Sequence, residues 1–285
     1  MSAVKMSLLR GVCQIPAYVA HEEGIFADLG LDVELDIVPT AWQVPDMLSR
    51  RECDFSILPW TRVALDALKD GNLVLVCGSG EEEAAIVVRE GYGIGDVQSI
   101  ALPKAGGLKD LTAQALMESL GWSEIEEVRQ PLGDGAILAL VGDGADAASM
   151  IEPFATVMEE KGIGRVVKRT GDVWPGAPGC SLTTTHRAID QDPTMVGLVV
   201  EGFARGIDFI ESNRNEAAEI GAKYIGVSPE ILRKALNHNR PNVDALSNRE
   251  AMDGMLTTMK DLAYIDRFPE GYLDLSFLEA ARARI

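Results

Sequence analysis

Leu31-Asp32-Val33-Glu34-Leu35-Asp36-Ile37-Val38 alternates apolar and acidic residues from Leu31 to Ile37, the period of a strand buried on one face at a sheet edge. The segments around it keep a steady rhythm. A strand over about Lys5 to Arg10 leads through Gly11-Val12-Cys13-Gln14-Ile15 to Pro16, which suits the first turn of a helix reaching Glu23 and closed by Gly24. The same periods predict helix 43–50, strand 55–58, helix 61–70 closed by Gly71, and strand 73–77. Gly91, Gly93 and Gly95 interrupt the pattern and read as a hinge. It restarts with strand 99–103, helix 108–120, strand 126–131, helix 135–141, strand 147–151, helix 154–161 and strand 164–169. Strand 180–185 reads as a return crossover. Such alternation builds largely parallel sheets covered by helices, an α/β fold.

One unit recurs. Leu48-Ser49-Arg50-Arg51-Glu52-Cys53-Asp54, before Phe55 and Pro59, has a loose second copy in Leu140-Val141-Gly142-Asp143-Gly144-Ala145-Asp146, before Ala147 and Pro153. In each, a leucine ends an amphipathic helix, a turn follows, and an aspartate leads into a short apolar strand. Two copies predict two similar lobes and a cleft between them. The pattern assigns 1–90 and 188–285 to lobe I and 91–187 to lobe II. Beyond 187 the chain reads as helical, with Asp192-Pro193 and Ser228-Pro229-Glu230 each placing a capping residue before a proline. From Pro193 to about Glu211, Val196, Val199, Val200, Phe203, Ile207 and Ile210 form an apolar stripe that predicts packing on lobe I.

The 285 residues suffice for one large domain or two ordinary lobes, and 47% apolar with 25% charged residues is a soluble globular balance. A formal charge of −18 opposes nucleic acid and anionic membrane surfaces as partners, while leaving room for a local positive site that takes a small anion. No apolar run is long enough to insert directly into a membrane. The N-terminus lacks the apolar core of a leader, so the chain as written reads as cytoplasmic, or as periplasmic if it is a mature or trimmed form. Cys13, Cys53, Cys77 and Cys180 make no Cys-x-x-Cys pair, and His21, His186 and His238 stand apart, so neither a disulfide framework nor a metal is predicted. Gly91-x-Gly93-x-Gly95 lacks the helix and downstream acid of a dinucleotide site and no Walker loop occurs, so no cofactor is expected.

In open α/β sheets, ligands gather at the carboxyl ends of parallel strands, and the candidate loops are those placed there. Gly106-Gly107-Leu108 is the strongest anion candidate, because glycine lets backbone N–H groups approach a ligand at a helix start. Ser79 and Asp134 sit in two further loops of this kind. Trp42, Trp60 and Trp174 provide aromatic walls for a ligand, or alternatively core. Glu152, before Pro153, either accepts hydrogen bonds from a ligand or orients its loop. Cys13, ahead of a helix start, is a weak candidate nucleophile, since no histidine adjoins it in sequence to serve as a base.

The segment Pro16-Ala17-Tyr18-Val19-Ala20-His21-Glu22-Glu23-Gly24-Ile25-Phe26, with Gly30-Leu31-Asp32-Val33-Glu34-Leu35, resembles the opening of the nitrate, sulfonate and taurine type (SsuA- and NMT1-like) substrate-binding proteins of ABC importers. That group also includes thiamine-pyrimidine synthesis proteins. Asp146-Ala147 with Glu152-Pro153, Asn215-Glu216-Ala217-Ala218 and Lys223-Tyr224-Ile225-Gly226-Val227-Ser228-Pro229-Glu230 are similar to later parts of the same pattern. The resemblance implies a bilobal periplasmic-binding-protein fold of type II, with two doubly wound lobes joined by two crossover strands and closing by hinge motion. It also implies a cleft lined by Cys13, Gln14, Ile15, Trp42, Gln43, Gly106, Gly107 and Leu108. The expected function is a monomeric solute-binding protein that captures a small anionic or aromatic metabolite, sulfonate, nitrate, carboxylate or pyrimidine-like, with an ABC permease as partner. The alternative is a cytoplasmic enzyme on the same scaffold, desulfinase-like or of a pyrimidine pathway, that uses Cys13.

Overall fold

In a computed structural model that describes residues 3–69, 71–105, 108–130 and 135–284, the alternating segments form two five-stranded sheets. In chain order the strands are β1 (Val4–Leu8), β2 (Val33–Ile37), β3 (Phe55–Pro59), β4 (Leu73–Gly78), β5 (Gly80–Glu81), β6 (Ala84–Arg89), β7 (Ser99–Leu102), β8 (Glu126–Arg129), β9 (Ala147–Ile151), β10 (Gly164–Arg169), β11 (Cys180–Thr185) and β12 (Arg240–Pro241). The first sheet has the order β2-β1-β3-β11-β4 and the second, read from its other edge, β8-β7-β9-β6-β10. These are one topology used twice. In each, the strand second from one edge, β1 or β7, pairs parallel with both neighbours, and the antiparallel strand, β11 or β6, has come from across a crossing. The duplication legible in two short segments therefore extends over whole lobes.

Strand periodicity explains the layers. Along β1, Val4, Met6 and Leu8 face one apolar cluster of the first lobe, while on β4 Leu73 and Leu75 face the other. On β6, Ala85 and Val87 point to one side of the second sheet, and Ile86 and Val88 to the opposite side. The alternating segment forms the edge strand β2, with Val33 buried and Glu34 and Asp36 exposed.

The lobe boundaries differ from those expected. β6 belongs to the second sheet and β11 to the first, so the chain crosses around 82–83 and again within 170–179, not at 90 and 187. Periodicity identifies a strand but not the sheet that receives it. The crossings run side by side: Glu82 N–H donates to Ala177 O (3.0 Å), Gly179 N–H to Gly80 O (2.9 Å) and Thr170 Oγ1 to Ala84 O (3.1 Å). Gly91, Gly93 and Gly95 follow β6 inside the second lobe, so the expected glycine hinge lies elsewhere.

The C-terminal part is mainly helical, with β12 as an exception that pairs with β5 beside the crossings. The Asp192 carboxylate accepts from Met195 N–H (2.9 Å) and Ser228 Oγ from Ile231 N–H (3.4 Å), starting the helices Pro193–Ser212 and Pro229–Ala235. The predicted stripe from Val196 to Ile210 is buried in the first lobe's core. A Cβ at Gly206 would lie 2.5 Å from Pro16 O, so glycine there lets this helix press against Ile15–Glu22. The same C-terminal part also reaches the second lobe, where Lys234 Nζ pairs with Glu160 (2.6 Å) and Tyr264 Oη donates to Asp110 (2.6 Å).

Candidate functional site

A cavity of ≈ 380 Å3 lies between the lobes, at the strand ends where open α/β sheets bind ligands. The first lobe contributes Leu9 and Arg10 after β1, Thr40, Ala41 and Trp42 after β2, and Arg62 from the helix Trp60–Ala67. The second lobe contributes Lys104 after β7, Lys109 from the helix Leu108–Ser119, Ser149 and Met150 on β9, and Phe154. Glu83 and Cys180 enter from the two crossings, while Ile225 and Val227 close one wall from the C-terminal part.

The charge is opposite to that of the molecule. Among the described residues, Arg10, Arg62, Lys104 and Lys109 line this one cavity against a single carboxyl, Glu83, in a chain of net charge −18. Arg62 is half-buried and has no carboxylate partner among the described residues, and its Nε has no hydrogen bond. Burial pushes its guanidinium down to about 10, which still leaves it charged at neutral pH. Its guanidinium carbon stands 3.6 Å from the centroid of the Trp42 ring, and Lys104 Nζ lies 5.0 Å from that ring. Trp42, 41% exposed, thus collects one cation from each lobe on its π system. A half-buried guanidinium without a carboxylate partner among the described residues carries an electrostatic cost that an anion would relieve.

Behind the cavity three reactive groups converge. Cys13 Sγ, Cys180 Sγ and a Glu83 carboxylate oxygen all lie within 4.8 Å of one another, and the three residues are buried. Cys180 donates through N–H (3.0 Å) and Sγ (3.2 Å) to the Glu83 carboxylate, and Gln14 Nε2 donates to Cys13 Sγ (3.2 Å). Burial pushes the Glu83 carboxyl up. A hydrogen bond with Cys180 pulls the Cys13 thiol down, but burial and the nearby Glu83 outweigh it and leave the thiol raised. A raised, buried thiol is the reverse of an activated nucleophile.

The residues expected at the site divide sharply. Trp42 lines the cavity. Gln14 is fully buried and ties the first loop together, accepting from Leu9 N–H (3.2 Å) and donating to Ile57 O (3.3 Å). Ile15 is core, Ser79 Oγ donates to Cys13 O, and Gln43 is exposed at the start of the helix Val44–Arg50. Trp60 and Trp174 belong to the first lobe's core, away from the cavity. Trp60 opens a helix whose core face also carries Val63 and Ala64, and that phase turns Arg62 toward the cleft instead. Glu152 orients its loop: it accepts from Thr156 N–H (3.1 Å) and Oγ1 (2.8 Å) and pairs with Arg169 (2.6 Å). Gly106, Gly107 and Asp134 lie outside the described residues, as does the Leu108 side chain. Sequence reasoning missed Arg62, Glu83, Lys109 and Cys180. Unpaired basic residues just past predicted strand ends, in so acidic a chain, were the available signal for Arg62.

The comparisons with known proteins agree with this architecture. Residues 135–226 match the model of the NMT1-like family. No curated protein sequence matches the chain. The ligand-binding component of an ABC-type import system from Staphylococcus aureus, solved with zinc bound, superposes with a TM-score of 0.87 at 16% identity, covering 99% of both chains. The periplasmic nitrate-binding protein NrtA from Synechocystis PCC 6803 gives 0.82 at 14% identity, over 100% of this chain and 89% of that one. The periplasmic aliphatic sulphonate binding protein SsuA from Escherichia coli gives 0.74 at 17% identity, over 97% and 96%. The chain therefore has the bilobal periplasmic-binding-protein fold, and its residues 135–226 carry the NMT1-like pattern.

Proposed function

We propose that this protein is a solute-binding protein that holds a small anion between its lobes and presents it to an ABC-type importer. The observation that carries the reading is Arg62, a half-buried cation without a carboxylate partner among the described residues, set with Arg10, Lys104 and Lys109 around one cavity. Its second support is the likeness to a ligand-binding component of an ABC-type import system and to periplasmic proteins named for binding nitrate and aliphatic sulphonate. In this account Arg62 and Lys104 hold the charged head group from opposite lobes, so the solute links the lobes as they close. Trp42, Met150, Phe154 and Ile225 receive an apolar or ring-bearing body. The compartment that follows is the periplasm or its equivalent, where an importer collects its solute.

Catalysis by Cys13 is disfavoured on physical grounds. Its thiol is buried and raised, and no histidine hydrogen bond reaches it among the described residues.

A thermal-shift panel tests the reading. Nitrate, alkanesulfonates, carboxylates and anionic pyrimidines are compared with cations of similar size. A cognate anion in about hundredfold excess over its Kd stabilises by about 2.7 kcal/mol, which raises the melting temperature by about 5–10 °C. A response to cations alone would contradict it.

A further inference from the structure

Three buried groups with metal-ligating atoms converge at the back of the cleft. Cys13 comes from the loop after β1, Glu83 from the first crossing and Cys180 from the end of the second. Their ligand atoms lie within 4.8 Å of one another, and Cys180 Sγ is 3.2 Å from Glu83 Oε1. A tetrahedral zinc ion with sulfur at about 2.3 Å and oxygen at about 2.1 Å needs neighbouring ligand atoms about 3.5–3.8 Å apart, so the set is already close to that spacing.

The surroundings suit a metal. Gln14 Nε2 donates to Cys13 Sγ (3.2 Å) and Cys180 N–H to Glu83 Oε2 (3.0 Å), the outer hydrogen bonds that fix metal ligands in place. A Cβ at position 179 would fall 2.6 Å from Glu83 Oε2, so Gly179 leaves the room in which this carboxylate turns inward. Glu83 and Cys180 also line the cavity, so a fourth coordination position would face the cleft. Three protein ligands with one open position is the arrangement of zinc sites that exchange a ligand. Two thiolates and a carboxylate leave a bound divalent zinc with one net negative charge, offset by Arg62 and Lys109 across the same cavity.

We infer that Cys13, Glu83 and Cys180 form a binding site for a zinc-like divalent cation at the hinge, with its open position toward the cleft. The site stands independently of which solute the cleft takes.

The test uses the full chain, reduced and stripped with a chelator, then titrated with Cd2+ and Co2+. A thiolate-to-metal charge-transfer band saturating at one equivalent is expected, and zinc added to the protein remains bound through dialysis. Cys13→Ser and Cys180→Ser each weaken the metal by more than about 100-fold, and Gln14→Leu by about 10-fold. Cys77→Ala, altering a buried thiol of β4 outside the cluster, leaves the titration unchanged. Absence of the band in wild-type protein whose circular dichroism is native overturns the site without recourse to any variant. So does a titration that Cys180→Ser leaves intact, or a mass showing Cys13 and Cys180 joined as a disulfide under the reducing conditions used.

Discussion

Two tryptophans past strand ends play different parts: Trp60 opens a helix and lies on its core face, whereas Trp42 sits in the turn ahead of the helix Val44–Arg50. Trp60 is fully buried and its ring lies 6.4 Å from that of Tyr272, whereas Trp42 is 41% exposed with Arg62 against its face. Trp60→Ala removes a large core side chain and is expected to cost about 3–5 kcal/mol in denaturant unfolding. Trp42→Ala should leave stability within about 0.5 kcal/mol and weaken anion binding about 10-fold in calorimetry. The reverse pattern would show that the cavity wall is misassigned. The sequence offered both residues as strand-end aromatics. Whether Trp60 joins the core face depends on where the helix Trp60–Ala67 begins, a boundary that the sequence leaves open by a residue or two.

At the scale of elements, the repeated aspartate shows how much was legible. Asp54 Oδ2 accepts from Lys5 N–H (2.9 Å) at the start of β1, and Asp146 Oδ2 accepts from Ser99 N–H (3.0 Å) at the start of β7. Each ties the start of its own strand to the neighbouring parallel strand of its lobe. Asp146 also accepts from Gln98 N–H (3.0 Å) and Ser99 Oγ (3.1 Å). Asp146→Ala is therefore expected to cost about 1–3 kcal/mol, and Asp54→Ala less, in denaturant titration. Equal costs would mean that the extra bonds contribute nothing. Strands and helices were readable because apolar periods, Pro16, Pro193 and Pro229 are local signals. The sheet that takes β6 or β11 was not readable, because strand pairing is decided by tertiary contacts. The meeting of Cys13, Glu83 and Cys180 was hidden for the same reason: three distant segments converge only once both crossings lie side by side.

For the molecule as a whole, the C-terminal part acts as more than a cover for the first lobe. Among the described residues, Lys234 to Glu160 and Tyr264 to Asp110 link it to the second lobe. Ligand affinity in a hinged protein depends on the population of the closed state as well as on direct contacts. Tyr264→Phe removes one interlobe hydrogen bond and is expected to lower affinity about 3–10-fold in calorimetry without touching the solute. Unchanged affinity would indicate that this bond persists in both open and closed forms. The positive cavity within an acidic molecule is the feature from which the functional account is built, and Arg62 is its centre. Isothermal titration of the stabilising anion into wild type and Arg62→Met, with unfolding measured in parallel, tests that account most directly. It predicts at least about a 30-fold loss of affinity, about 2 kcal/mol, for a charge-assisted contact, in a variant as stable as wild type or more so. Equal affinity in the two proteins would contradict it.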